Sequence, residues 1–196
     1  MEKKTIHEEN PHHLVMGKLI DFLSGAVLPD THDERYHQKL ARYLVEALGY
    51  DMEAIEQNRE VVIQTNGQAA KIRVDFLVSV KRRVAMLVNY APGSLVTRRL
   101  SNLALSRIIL PFQIPVVVTT NGEDAEVIDG NSGKVTGQGL AAIPGYSSQL
   151  IRNLPDTPFT VDASLFDKAS KIAFACEVDG ACPCDTGICV IESGSS

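Results

Sequence analysis

Hydrophobic positions along the chain switch between two periods, and the switches divide it into elements. From His12 to about Ser24, Val15, Leu19, Phe22 and Leu23 recur at helical spacing, which predicts a short amphipathic helix ended by Pro29-Asp30. Thr31-His32-Asp33-Glu34 has the spacing of a capping box, so a second helix is expected to start there. Its apolar stripe is Tyr36, Leu40, Tyr43, Leu44, Ala47 and Leu48, and Gly49 stands where a helix end needs a positive φ. From Glu60 the period becomes two. Val61 and Ile63 alternate with polar neighbours, Asn66-Gly67 signals a turn, and Ile72, Val74 and Phe76 alternate with Lys71, Arg73 and Asp75. After the polar turn Lys81-Arg82-Arg83, Val84 to Val88 is a continuous apolar run suited to a buried central strand.

Helical spacing returns from Leu95 to Leu110. Val96, Leu100, Leu103, Ala104 and Ile108 are expected inside, with Arg98, Arg99, Asn102 and Ser106 outside. Ile114 to Thr120 reads as another buried strand, Ala125 to Ile128 as a short one between Gly-containing turns, and Lys134 to Thr136 as an extension of that ladder. Leu165 to Ala175 predicts a last helix. The order α-β-β-β-α-β-β implies an α/β (α+β) chain with a mixed sheet flanked by helices and one crossover helix. Three regions follow: an N-terminal helical extension at 1–29, a core at 30–145, and a C-terminal helical segment with a Cys-rich tail at 146–196.

At 196 residues and 44% hydrophobic content, the chain can bury one substantial core. It holds no run of eighteen apolar residues, and Met1-Glu2-Lys3-Lys4 leads into polar residues, so a cytoplasmic protein without membrane association is expected. The net charge of -5 does not attract a phosphate backbone, so any contact with DNA has to come from a local patch; Arg98, Arg99 and Arg107 are the candidates. The alternative for these arginines is a solvated helix face.

Several segments in sequence order carry a family resemblance. They are Glu34 with Arg42-Tyr43-Leu44-Val45-Glu46 and Gly49-Tyr50, then Asp75, then Ala91-Pro92-Gly93, then Thr120-Asn121-Gly122-Glu123, then Gly139-Leu140-Ala141-Ala142-Ile143-Pro144. Over roughly Asp30 to Gly145 the chain resembles the N-terminal nuclease domain of type I restriction enzyme R subunits. The resemblance implies a restriction-endonuclease-like fold of the PD-(D/E)xK superfamily from bacteria. It also implies hydrolysis of phosphodiesters, with Mg²⁺ held by two carboxylates and a lysine assisting the attacking water. In that pattern Asp75 is the aspartate, whereas Val88 and Tyr90 stand where the family carries Glu and Lys just before Ala-Pro. Asp75 is therefore read as vestigial, because a lone carboxylate is a poor magnesium site. Val88 and Tyr90 are expected on one side of their strand, the side that Asp75 approaches; a slip by one would bring Asn89 to Asp75 and reverse a buried strand's faces. Displaced residues offer a route back to activity. Glu60, Glu46, Lys71 and Arg73 are the candidates, the last two sharing a strand face with Asp75, and the plainer reading is that Lys71 and Arg73 only neutralise it. The R subunits also carry a motor region, and DNA translocation is not expected of these 196 residues.

All four cysteines fall in one tail: Cys176, Cys182, Cys184 and Cys189. Four thiolates suit a zinc ion or an iron–sulfur cluster, although there is no Cys-x-x-Cys pair; redox-active thiols and unliganded tail cysteines remain open. His7, His12, His13, His32 and His37 read as surface histidines. The readings are a catalytically impaired nuclease-fold module that binds nucleic acid or a partner protein, an active Mg²⁺-dependent endonuclease using displaced residues, and a metal or redox sensor on a nuclease-like scaffold.

Overall fold

The computed structural model describes residues 14–65, 68–92, 94–179 and 189–191. Its centre is a mixed sheet in the order β3-β4-β5-β6-β7-β8. The strands are β3 (Ile55–Thr65), β4 (Gln68–Val80), β5 (Arg83–Tyr90), β6 (Val116–Thr120), β7 (Ala125–Asp129) and β8 (Val135–Gln138). Only β5 and β6 are parallel, and they are joined by the crossover helix α2 (Leu95–Ile108). A last strand, β9 (Cys189–Ile191), pairs with β4 at Ala69, Ala70 and Lys71. With α1 (His32–Arg42) before β3, the expected order α-β-β-β-α-β-β is present, extended by β8.

Helices cover both faces of the sheet. On one face α1 and the π-helical turn Tyr43–Ala47 contribute Leu40, Ala41 and Leu44 to a cluster with Phe76, Val78, Met86, Val88, Val116 and Val118. On the other, α2 and α4 (Ala163–Phe174) contribute Leu103, Ala104, Leu105, Ala169, Ala173 and Phe174 to a cluster with Ile72, Val74, Leu77, Leu87 and Val117. Strands buried on both faces read as unbroken apolar runs, as β5 and β6 do. The short helix α3 (Gln149–Arg152) and the segment 154–160 close one end, where the Arg83 guanidinium donates to the carbonyls of Pro155 and Asp156.

Three expectations are corrected. Residues 18–29 do not form a helix but a hairpin of β1 (Lys18–Ile20) and β2 (Val27–Pro29). Turn chemistry overrides the helical spacing: the Asp21 carboxylate accepts the Ser24 N–H and hydroxyl at 2.6 Å each, and Gly25 takes φ +73°. The first residues of that predicted helix, His12 and His13, lie outside the described residues. Helix α2 is rotated from the expected face: Val96 and Leu100 are 61% and 53% exposed, while Ser101, Asn102 and Ser106 are buried. The buried polar face is affordable because sheet and loop partners satisfy it. Finally, His37 is not a surface histidine; its residue is 6% exposed.

Helix α1 starts where the sequence places it, with Thr31 Oγ1 accepting the Glu34 N–H at 3.1 Å. The reciprocal half of the capping box is replaced, since Glu34 accepts from the Gln38 amide at 2.8 Å. Gly49 takes φ +75°, as the helix exit requires.

Candidate functional site

Asp75 lies where the long strand β4 changes faces. Ala70, Ile72 and Val74 join the cluster under α2 and α4, Phe76 and Val78 join the cluster under α1, and Leu77 joins the first again. Strict alternation therefore slips by one at Asp75. The β3–β4 ladder pairs Gln57 with Phe76 and Arg59 with Val74, skipping Asn58 and Asp75, and Asn58 takes φ +55°. On the other side, Phe76 pairs with Val88, after which side chains replace backbone partners. The Asp75 N–H donates to Asn89 Oδ1 at 3.0 Å, and the Tyr90 N–H donates to Asp75 Oδ2 at 2.6 Å. Behind this junction a buried polar chain runs into α2 and β6: Asn89 Nδ2 donates to Asn102 Oδ1 at 2.8 Å, and Asn102 Nδ2 donates to Thr119 Oγ1 at 2.7 Å. Each amide is satisfied by the next, which is what makes a polar core tolerable.

On the α1 side, the His37 ring stacks on Phe76 with centroids 4.1 Å apart. Its Nδ1 is 3.8 Å from Glu34 Oε1 and its Nε2 is 4.0 Å from Asp75 Oδ1, beyond hydrogen-bond range, and neither nitrogen has a hydrogen-bond partner among the described residues. Burial pushes the His37 imidazole down from its ordinary value, against an attraction to Asp75. Burial likewise pushes the Asp75 carboxyl, whose side chain is 17% exposed, above the usual carboxylate range, against His37, the Tyr90 N–H and Arg73. Asp21 shows the opposite outcome. Burial raises it, but hydrogen bonds from Ser24, Gln38 and Gln57 outweigh burial and hold its carboxyl at about 2. Asp21 escaped sequence reasoning because the hairpin that carries it was read as helix; the Asp21-to-Ser24-Gly25 turn was the available signal.

The predicted residues are only partly gathered. Val88 is fully buried beneath α1 opposite Phe76, and the Asn89 side chain reaches the Asp75 N–H without a strand slip. The Tyr90 ring turns to stack on Tyr36 with centroids 5.4 Å apart, and burial first of all, then nearby Asp33, raises its phenol to about 12. Lys71 does not reach Asp75; its amine pairs with Glu60 at 2.6 Å, both on the exposed side of the β3–β4 hairpin. Arg73 is exposed and acts on Asp75 only by its charge. Glu46 pairs with Arg42 at 3.6 Å at the far end of α1. Arg98 donates to Glu177 at 3.0 Å, Arg99 to Glu126 at 2.8 Å, and Arg107 to Gln113 at 3.1 Å, so each candidate phosphate contact already has an intramolecular acceptor.

Cys182 and Cys184 lie outside the described residues, as does the side chain of Cys189; Cys176 is half-buried, and burial raises its thiol. Among the described residues no group of three His, Cys, Asp or Glu side chains is arranged to hold a metal ion. Around Asp75 the donor set does not fit Mg²⁺, which asks for several oxygen ligands: one carboxylate is engaged by the Tyr90 N–H, and beside it stand the His37 imidazole and an Asn89 amide whose oxygen is taken by the Asp75 N–H. No helix of the described residues is long and apolar enough to cross a membrane.

A cavity of about 280 Å³ adjoins this junction, at the carboxyl ends of β5 and β6. Tyr36, Lys39, Arg42, Tyr43, Gly122 and Leu140 are among its walls. Lys39 donates to the Gly122 carbonyl at 3.3 Å, and Gly122, at φ +87°, lies so close to Tyr36 that a Cβ there would stand 2.5 Å from the ring.

A family model described as type I restriction enzyme R protein N terminus (HSDR_N) matches residues 32–144, more than half of the chain. No curated protein and no solved structure matches it.

Proposed function

Because this chain belongs to the type I restriction enzyme R protein N-terminus family, we propose that it is a nuclease-fold module whose catalysis is impaired and which acts by binding a partner protein. The observation that carries this reading is the junction at Asp75. One acid remains there, turned onto the Tyr90 N–H, while Val88 is sealed in the core and the Tyr90 ring is stacked on Tyr36. A protein partner is favoured over nucleic acid because Arg98, Arg99 and Arg107 are each occupied by an internal acceptor and the chain carries a net charge of -5. Cys176, Cys182, Cys184 and Cys189 remain part of the reading as thiolates able to hold zinc or an iron–sulfur cluster that orders the tail.

The test is incubation of the purified chain with plasmid and single-stranded DNA in Mg²⁺ or Mn²⁺. No cleavage is expected. Cleavage that disappears in Asp75→Ala would overturn the proposal in favour of a displaced active site. DNA binding that weakens steeply with salt and with Arg98→Ala and Arg99→Ala would replace the protein partner by nucleic acid.

A further inference from the structure

His37 supplies a second property, independent of whether the chain cuts DNA. Its imidazole is buried with Nδ1 3.8 Å from Glu34 Oε1 and Nε2 4.0 Å from Asp75 Oδ1, and neither nitrogen has a hydrogen-bond partner among the described residues. A neutral imidazole carries one N–H, so it can satisfy only one of the two carboxylates when both are ionised. One added proton changes the count. If the ring takes it, both nitrogens become donors. If Asp75 takes it, its hydroxyl donates to Nε2 and the ring N–H is free for Glu34. In either arrangement both contacts then hold a hydrogen where only one did before, and closing each by roughly 1 Å brings it into hydrogen-bond range.

We propose that one proton shared by Asp75 and His37 latches helix α1 onto strand β4. Geometry makes the latch consequential. The same helix carries Tyr36, stacked on Tyr90, and Lys39, bonded to Gly122, and together these form walls of the 280 Å³ cavity. Tyr90 is in turn tied to Asp75 through its N–H. Tightening α1 at His37 therefore acts on the seat of both side chains. Among the described residues, the charged and titratable groups that act on the pair are Glu34 on α1, Asp21 from the β1–β2 turn, Asp75 and Arg73 on β4, the Tyr90 phenol at the end of β5, and Glu177 after α4, with the Asp75 backbone also favouring a proton on the ring. Arg73 opposes a proton on the ring, and Glu177 favours one on Asp75. Burial disfavours the charged form of both partners, which brings their protonation closer together.

The experiment is an NMR titration of the full isotope-labelled chain, following the His37 ring, the Asp75 carboxyl carbon and the exchange of α1 amide hydrogens corrected for intrinsic pH dependence. A common midpoint for ring and carboxyl is expected, and across it the α1 amides should become at least about threefold better protected. Asp75→Asn should remove that gain. Glu34→Gln, on a more exposed side chain, should reduce it and serves as the comparison where Asp75→Asn does not fold. Separate midpoints with unchanged α1 exchange, or an equal gain in a folded Asp75→Asn or Glu34→Gln variant, would overturn the latch. DNA cleavage by the parent would overturn the proposed function and leave this result untouched.

Discussion

Asp75, the acid on which the proposed function turns, is held in an unusual state for a carboxylate. Burial raises its pKa above the ordinary carboxylate value of 3.8, so the folded chain holds that proton at pH values where the unfolded chain has lost it. Its contribution to stability is thus unfavourable above the raised value and is relieved as pH falls from there to 3.8. Asp75→Asn keeps an acceptor for the Tyr90 N–H and removes the charge. The variant should be more stable than the parent at pH 8, with the difference shrinking as the pH is lowered toward 4. Paired thermal melts at the two pH values measure this; a less stable variant at pH 8 would show that the carboxylate is better solvated than its burial indicates. Asp75 itself was legible from the sequence through its motif, but its neighbours were not. His37 and Asn89 come from a helix and from the facing strand, and only their convergence gives them a role.

The β3–β4–β5 hairpin system shows which features of an element local patterning determines. Alternation located the strands, and Lys81 and Arg82, at φ +51° and +65°, form the tight turn that the polar triplet announced. Patterning could not reveal the face change at Asp75, because it depends on the skipped Asn58–Asp75 pair in a neighbouring strand. Val88 pairs with Phe76 and is sealed in the core beneath α1. Val88→Glu should cost on the order of several kcal/mol, because the charge would enter an apolar cluster without a partner, and should not generate a magnesium site. Denaturant unfolding with and without Mg²⁺ checks both parts; a folded variant stabilised by Mg²⁺ would show that a carboxylate at position 88 completes a metal site with Asp75. Helix α2 illustrates the same limit. It has apolar residues on every side, so its periodicity leaves the phase open, and Thr119, Gln113 and Glu177 select the face that bears Ser101, Asn102 and Ser106.

The whole molecule is closed by parts outside the family match. Residues 32–144 supply strands β3 to β8, α1 and α2, whereas β9 and Ala169, Ala173 and Phe174 of α4 come from outside it, the last three completing the cluster over Ile63, Ala70, Ile72 and Val74. A fragment ending at Gly145 would leave that cluster open. It should lose cooperative unfolding and bind a hydrophobic dye, while the full chain unfolds in one transition and does not. Cooperative melting of the fragment would show that the matched region is autonomous. Phe174→Ala in the full chain should cost about 3–5 kcal/mol for the same reason.

The sequence by itself determined the element order, the capped start of α1 at Thr31, the central strands and the absence of Glu and Lys at positions 88 and 90, because these depend on neighbours a few residues apart or on residue identity alone. Only the tertiary structure decided that residues 18–29 are a hairpin, that α2 buries its polar face, that the arginines are internally engaged, and that His37 stands between Glu34 and Asp75. Those outcomes rest on contacts between segments as far apart as His37 and Asp75 or Arg98 and Glu177. The physical reason is that a buried polar group is tolerated only where another element brings its partner, and the spacing of residues along one chain segment carries no record of what a distant segment will supply.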